Sequence, residues 1–299
     1  MWLTLSLVSA TMLGFYDVAK KHSLKNNAVL PVLLLNTVFS TFIFLPTLLD
    51  SAFDLGWFTG TVLESDFYGI EAHVKIIIKA FIVLSSWICG YFAIKHLPLS
   101  LVGPINAIRP VLVLLGAMTI FGERLNLYQW IGVILSFVSI FLLSLISKKE
   151  GVDFRSNKWV LMLGLAVILG AISGLYDKYI MVEMNPVFVQ SWFNLYQLLL
   201  MLVIVAVLWW PKRKSTTPFI FRWSILLIST FICIADFAYF NALSDEDSMI
   251  SIVSVIRRGS VIVSFACAAL FFHEKNLKRK FIDLAIILIG MAFLYWGSK

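Results

Sequence analysis

Hydrophobic residues fall in long unbroken runs along this chain, and polar residues gather between them. Ten runs can be traced: Trp2–Lys21, Val29–Leu49, Lys75–Ile94, Leu99–Phe121, Tyr128–Ile146, Trp159–Met181, Pro186–Trp210, Phe219–Leu243, Ser248–Phe272 and Phe281–Trp296. About 20 apolar residues suffice for a helix to cross the hydrocarbon of a bilayer. Continuous runs of that length, without period-2 alternation, predict helices rather than barrel strands. Most connections are short. The exception is Asp50–His73, rich in acids and glycine, which predicts an exposed loop with a short surface helix around Phe53–Thr59. The segment KKEGVDFRSNK, residues 148–158, predicts a basic linker between a first unit at 1–147 and a second at 159–299.

The two units look like copies. Gly14-Phe-Tyr16-Asp17 matches Gly174-Leu-Tyr176-Asp177, and Pro31-Val32 matches Pro186-Val187. Tyr91-Phe92 matches Tyr239-Phe240, and Phe121-Gly-Glu123-Arg124 matches Phe272-His-Glu274-Lys275. Five spans per copy is an odd number, so the second copy enters the membrane in the opposite sense. The expected fold is therefore an all-α integral membrane protein, with ten transmembrane helices as two inverted five-helix repeats. Such repeats place a transport site near the midplane, between the copies.

Composition agrees with a membrane protein: 60% of the 299 residues are hydrophobic, 14% are charged, and mean hydropathy is +0.92. Soluble domains carry about 25% charged residues. The net charge of +7 reads here as loops facing anionic lipid, not as a nucleic-acid surface. One set of loops holds most of the basic residues, including Lys20, Lys21, Lys25, Lys95, Arg213 and Lys278. The other holds the acids after Asp50 and the cluster Asp245-Glu246-Asp247. The positive-inside rule places the first set in the cytoplasm and both termini on the other side. The first run lacks a basic leader and a cleavage site, so it reads as a retained helix. Cys89, Cys233 and Cys267 lie in apolar runs, and the four histidines show no metal-ligand spacing, so neither metal nor cofactor is expected. Nucleophile elbows and phosphate-binding glycine loops are missing, which argues against an enzyme or an ATP-driven pump.

Two runs carry charge where charge is costly. Pro104–Glu123 holds Asn106, Arg109 and two prolines in its first half, and the later run holds Arg257 and Arg258 at comparable depth. An arginine at bilayer depth costs roughly 2.5–3.5 kcal/mol or more unless it meets a partner or a wet cavity. The prolines remove backbone donors and predict a kink. Aligning the copies from the tyrosines pairs Arg109 with Arg257, while aligning from the glutamates pairs it with Ser260.

Ten spans in two copies, with Gly122-Glu123-Arg124 closing the fourth helix and the weaker His273-Glu274-Lys275 in the second copy, resemble the EamA family of the drug/metabolite transporter superfamily. The Pro110-Val-Leu-Val stretch is also similar to that family's fourth helix. The resemblance implies a secondary carrier, an exporter of amino acids, metabolites or toxic compounds, with a central cavity built by both copies. The second copy departs from the pattern where Arg257-Arg258-Gly259 stands near the place of Pro110. Many relatives are drawn with cytoplasmic termini, against the charge bias here.

Arg109, Arg257 and Arg258 are candidates to bind an anionic group, since a planar guanidinium fork suits a carboxylate. The other possibility is ion pairing that pins helices together. Asp236, deep in the eighth run, is either a proton carrier or the partner of Arg257 or Arg258, and an opening ion pair would unite both roles. Asp17 and Asp177 occupy matching places and are further coupling or gating candidates. Asp17 lies one helical turn before Lys20, which predicts a local salt bridge. Tyr16 and Tyr176 read as interfacial anchors. Asn106 and Asn241 stand close to buried charge, and Trp87 and Tyr239 share spans with the other candidates. Expected partners are a small-molecule substrate, membrane lipid, a proton or other coupling ion, and a second copy in a homodimer, in a bacterial-type inner membrane. The first expectation is a secondary transporter, exporting or exchanging a small polar metabolite that bears a carboxylate. Its rivals are a cation or drug exporter using Asp236 and Asp17, and a non-transporting scaffold or lipid-handling subunit.

Overall fold

The computed structural model describes residues 1–106, 108–121, 126–149, 157–245, 248, 250–271 and 277–297. Among the described residues the regular structure is helical: α1 Trp2–Leu24, α2 Val29–Ile43, α3 Leu45–Phe53, α4 Ile70–His96, α5 Leu99–Asn106, α6 Arg109–Phe121, α7 Leu127–Lys149, α8 Lys158–Met181, α9 Pro186–Ile204, α10 Ser224–Leu243, α11 Ile250–Arg258, α12 Ser260–Phe271 and α13 Leu277–Gly297. A π turn over Val205–Trp209 and a 3-10 turn over Trp210–Lys212 extend α9. Among these residues, five helices are long and apolar enough to cross a bilayer, and the bent pair α2–α3 makes a sixth. The protein is a multi-pass integral membrane protein.

Three of the expected runs are broken, the fourth of them where its prolines predict a kink. The second run bends by 58° between α2 and α3, where Pro46 has no N–H to give the Phe42 carbonyl. The fourth run stops at Asn106 and restarts at Arg109 as α6. Pro110 there cannot donate to the carbonyl of Asn106. The ninth run is interrupted at Gly259, between α11 and α12. The breaks align Arg109, first residue of α6, with Ser260, first residue of α12. That is the alignment taken from the glutamates. The helix expected around Phe53–Thr59 is displaced: Phe53 ends α3, Asp54 follows in a left-handed conformation, and residues 54–69 form turns and extended backbone.

Helix packing follows an exchange rule. α1 packs on α10 as α4 packs on α8, and α1 on α12 as α8 on α6. α2 packs on α9, and α7 on α13. Contacts fix the directions. Thr41 of α2 donates to the Asn194 carbonyl while Thr47 of α3 meets Ser191, so the bent pair α2–α3 and α9 approach antiparallel. Asn126 beside the start of α7 donates to the carbonyl of Gly297 at the end of α13, so these two are antiparallel as well. The matching glycines do matching work. A Cβ on Gly14 would overlap Val263 of α12, and one on Gly174 would touch Val113 of α6 at 3.7 Å.

The two ends of the bundle differ in charge. At one end Lys21 Nζ donates to the Ile94 carbonyl at 2.7 Å, Arg222 to the His22 carbonyl at 2.7 Å, and Lys95 to Thr217 at 3.2 Å. At the other the loop after Asp50 folds over the bundle: the Asn185 N–H donates to Tyr68 at 2.8 Å, and Glu183 pairs with Lys75 at 2.6 Å. The segments carrying Glu123, Glu274 and Glu246-Asp247, and most of the 148–158 linker, lie outside the described residues.

Candidate functional site

Between the helices lies a polar-lined cavity of about 130 Å³. α1 and α4 give it Tyr16, Asp17, Lys20, Lys79, Trp87 and Tyr91; the broken helices give Asn106, Arg109, Arg257, Arg258 and Ser260; α8 and α10 give Gly170, Asp177, Asp236 and Tyr239. Both copies therefore build the wall.

Nine of the ten sequence candidates meet here: Arg109, Arg257, Arg258, Asn106, Tyr239, Trp87, Asp236, Asp17 and Asp177. Asn241 does not. Its side-chain amide donates to the Phe237 carbonyl of its own helix at 2.8 Å. One turn and a half beyond Asp236, it has left the face of α10 that carries Asp236 and Tyr239.

The charges pair in a definite pattern. Asp236 is bound by Arg257, whose Nε also donates to Ser9 at 3.1 Å. The Arg257 guanidinium lies 3.9 Å from the centre of the Tyr239 ring, a cation–π contact that fixes its plane. Asp177 is bound by Lys79, which lies between the rings of Phe193 and Phe240 at 4.8 and 4.6 Å. Asp17 pairs with Lys20 at 2.8 Å, the expected one-turn bridge. The two matching aspartates thus take different partners: one on its own helix, one across from α8 to α4.

Arg109 and Arg258 are different. Among the described residues neither has a carboxylate partner, and each has a buried Nε without a hydrogen-bond acceptor. Leaving a buried charged donor unsatisfied costs more than the typical 1–3 kcal/mol for a neutral group. The Arg109 guanidinium packs against Gly170 of α8, the one residue type whose absent Cβ leaves room for it.

Four residues that line the site are not among the sequence candidates: Lys20, Lys79, Tyr16 and Tyr91. Lys79 is 2% exposed, in the middle of the run IIIKAFIV. An ionisable residue inside a span is itself a signal, and Lys79 lies one helical turn inside the run traced from Lys75. Lys20 reads in the sequence as a loop charge, but it is buried, with Nζ 4.2 Å from the centre of the Tyr16 ring. Tyr16 is not an interfacial anchor either. It is buried, with its hydroxyl 3.4 Å from that of Tyr91.

The comparisons agree with this architecture. The model of the EamA-like transporter family matches residues 1–145 and again 157–296. An uncharacterized transporter of Archaeoglobus fulgidus is 27% identical over 140 residues, 46% of this chain and 46% of that protein's length. The matched stretch therefore spans about half of that relative. A solved crystal structure at 16% identity shares the fold, with a TM-score of 0.64 over 97% of this chain and 96% of the other. Two family matches covering nearly the whole length place this chain in the EamA-like transporter family.

Proposed function

We propose that this transporter carries a small anionic metabolite, one bearing a carboxylate or an equivalent group, by alternating access between two inverted five-helix repeats. The observation that carries the proposal is the pair Arg109 and Arg258, which face the cavity without carboxylate partners while Asp17, Asp177 and Asp236 each already hold a cation. A carboxylate entering the cavity would satisfy donors that otherwise stay empty. A cation exporter would need a free acid at the same place, and each described acid of the wall is engaged.

Ten crossings in units 1–147 and 159–299 are supported by the antiparallel approach of the bent pair α2–α3 to α9 and of α7 to α13. Elements five crossings apart run opposite ways only when the second unit is inverted. In this scheme the interrupted helices α5–α6 and α11–α12 line the path, as broken helices do in other carriers. The Asp236–Arg257 pair is placed to open as substrate binds, with Asp17 and Asp177 as the charged posts on either side. The basic end of the bundle faces the cytoplasm and the termini lie outside.

Flux into proteoliposomes is the test, with a panel of amino acids and carboxylates. Each charged hydrogen bond is worth about 1.5–3 kcal/mol, so Arg109→Ala and Arg258→Ala should each weaken apparent affinity by about 10–150-fold. If both variants fold and carry anions at the parent rate, the arginine assignment fails. If the parent protein carries only cations, the anionic substrate class fails with it.

A further inference from the structure

The cavity wall holds five cationic side chains, Lys20, Lys79, Arg109, Arg257 and Arg258, against three carboxylates, Asp17, Asp177 and Asp236. Three cations are consumed in ion pairs. Two positive charges remain, and both sit on guanidinium groups in the same cavity. We infer that the substrate carries two negative charges, as a dicarboxylate or a phosphate monoester, with Arg109 and Arg258 each holding part of that charge. This deepens the anionic reading given above and rests on it.

Like charges in a low-dielectric enclosure repel each other strongly, and desolvation adds to the cost of each. A monoanion would leave one guanidinium uncompensated. A dianion cancels the excess without recruiting a further ion. The placement also separates the work of the two arginines. Arg109 projects from the first turn of α6 and rests on Gly170 of α8. Arg258 ends α11, on the opposite copy. An anion reaching both therefore ties the two repeats together, with one charge of the pair contributed to each.

The test compares binding of matched ligands to the purified full-length protein by intrinsic tryptophan fluorescence. Succinate and glycerol phosphate serve as dianions, butyrate as the monoanion and a quaternary ammonium compound as the cation. The expected result is affinity for one of the dianions at least about tenfold above butyrate, the scale of losing one charged contact. Succinate and glycerol phosphate then identify which dianion chemistry fits. In Arg109→Gln and Arg258→Gln the preference over butyrate should shrink toward unity, whereas Asn241→Ala should leave it unchanged. That ratio is insensitive to how much protein is folded. Butyrate bound as tightly as both dianions would overturn the two-charge inference while leaving the anionic reading in place. Binding of the cation alone, or of none of the four, would overturn both.

Discussion

Gly170 offers the sharpest test of how the site is assembled. Built on Gly170, a Cβ would come within 2.6 Å of Arg109 Nε and closer still to its Cζ. Ordinary contact is about 3.5 Å, so Gly170→Ala obliges the guanidinium to retreat by about 1 Å. The obstacle is the far end of a flexible side chain, not backbone, so the helices themselves need not part. Alanine in place of glycine within a helix contributes about 1 kcal/mol of stability. The substitution should therefore leave thermal stability equal or raised while it harms binding. A misplacement of about 1 Å in a binding group costs up to about a hundredfold. The assay is melting of the purified protein in detergent, run beside flux in proteoliposomes. Unchanged melting with flux reduced about 10–100-fold is the expected outcome. Normal flux would refute the claim that Arg109 must lie against α8 to receive substrate. A collapse in stability would instead show that the guanidinium cannot move, and that the contact is a packing element.

Further outcomes follow from the same geometry. Lys79→Met or Asp177→Asn alone leaves a buried charge without its partner and should cost about 3–5 kcal/mol, while Lys79→Met with Asp177→Leu should cost much less; a double-mutant cycle on thermal unfolding measures this, and additive losses would sink the pairing. Asp236→Asn releases Arg257 and adds positive charge to the cavity, so anion binding should strengthen and exchange should slow as release becomes limiting; weaker binding would contradict the charge count. An empty cavity with two uncompensated charges is costly to enclose, so exchange of internal for external substrate should outrun net uptake into empty vesicles by at least about tenfold; equal rates would oppose it. A cysteine replacing Lys299 should react with impermeant reagent only from outside the cell, and labelling only from the cytoplasm would reverse the orientation.

Much of the site was legible because charge inside a span is costly. Arg109, Arg257, Arg258 and Asp236 declare themselves by standing among apolar neighbours, and all four line the cavity. The one-turn spacing of Asp17 and Lys20 announced their bridge. Lys79 stands among apolar neighbours in the same way. Asn241 marks the limit: closeness in sequence to a buried charge says nothing about which face of a helix a residue occupies.

The apolar runs and the internal matches pointed to a helical membrane protein of repeated design, because backbone polar groups in hydrocarbon must be satisfied within the segment and charge there is costly. Proline at 46 and 110 marked two of the breaks for the same local reason, a missing donor. Which cations are matched and which are left over was decided by tertiary structure alone. Partners such as Lys79 and Asp177, or Asp236 and Arg257, come from different helices, and only packing brings them within reach. The surplus positive charge at Arg109 and Arg258 belongs to the assembled cavity, and no single stretch of the chain contains it.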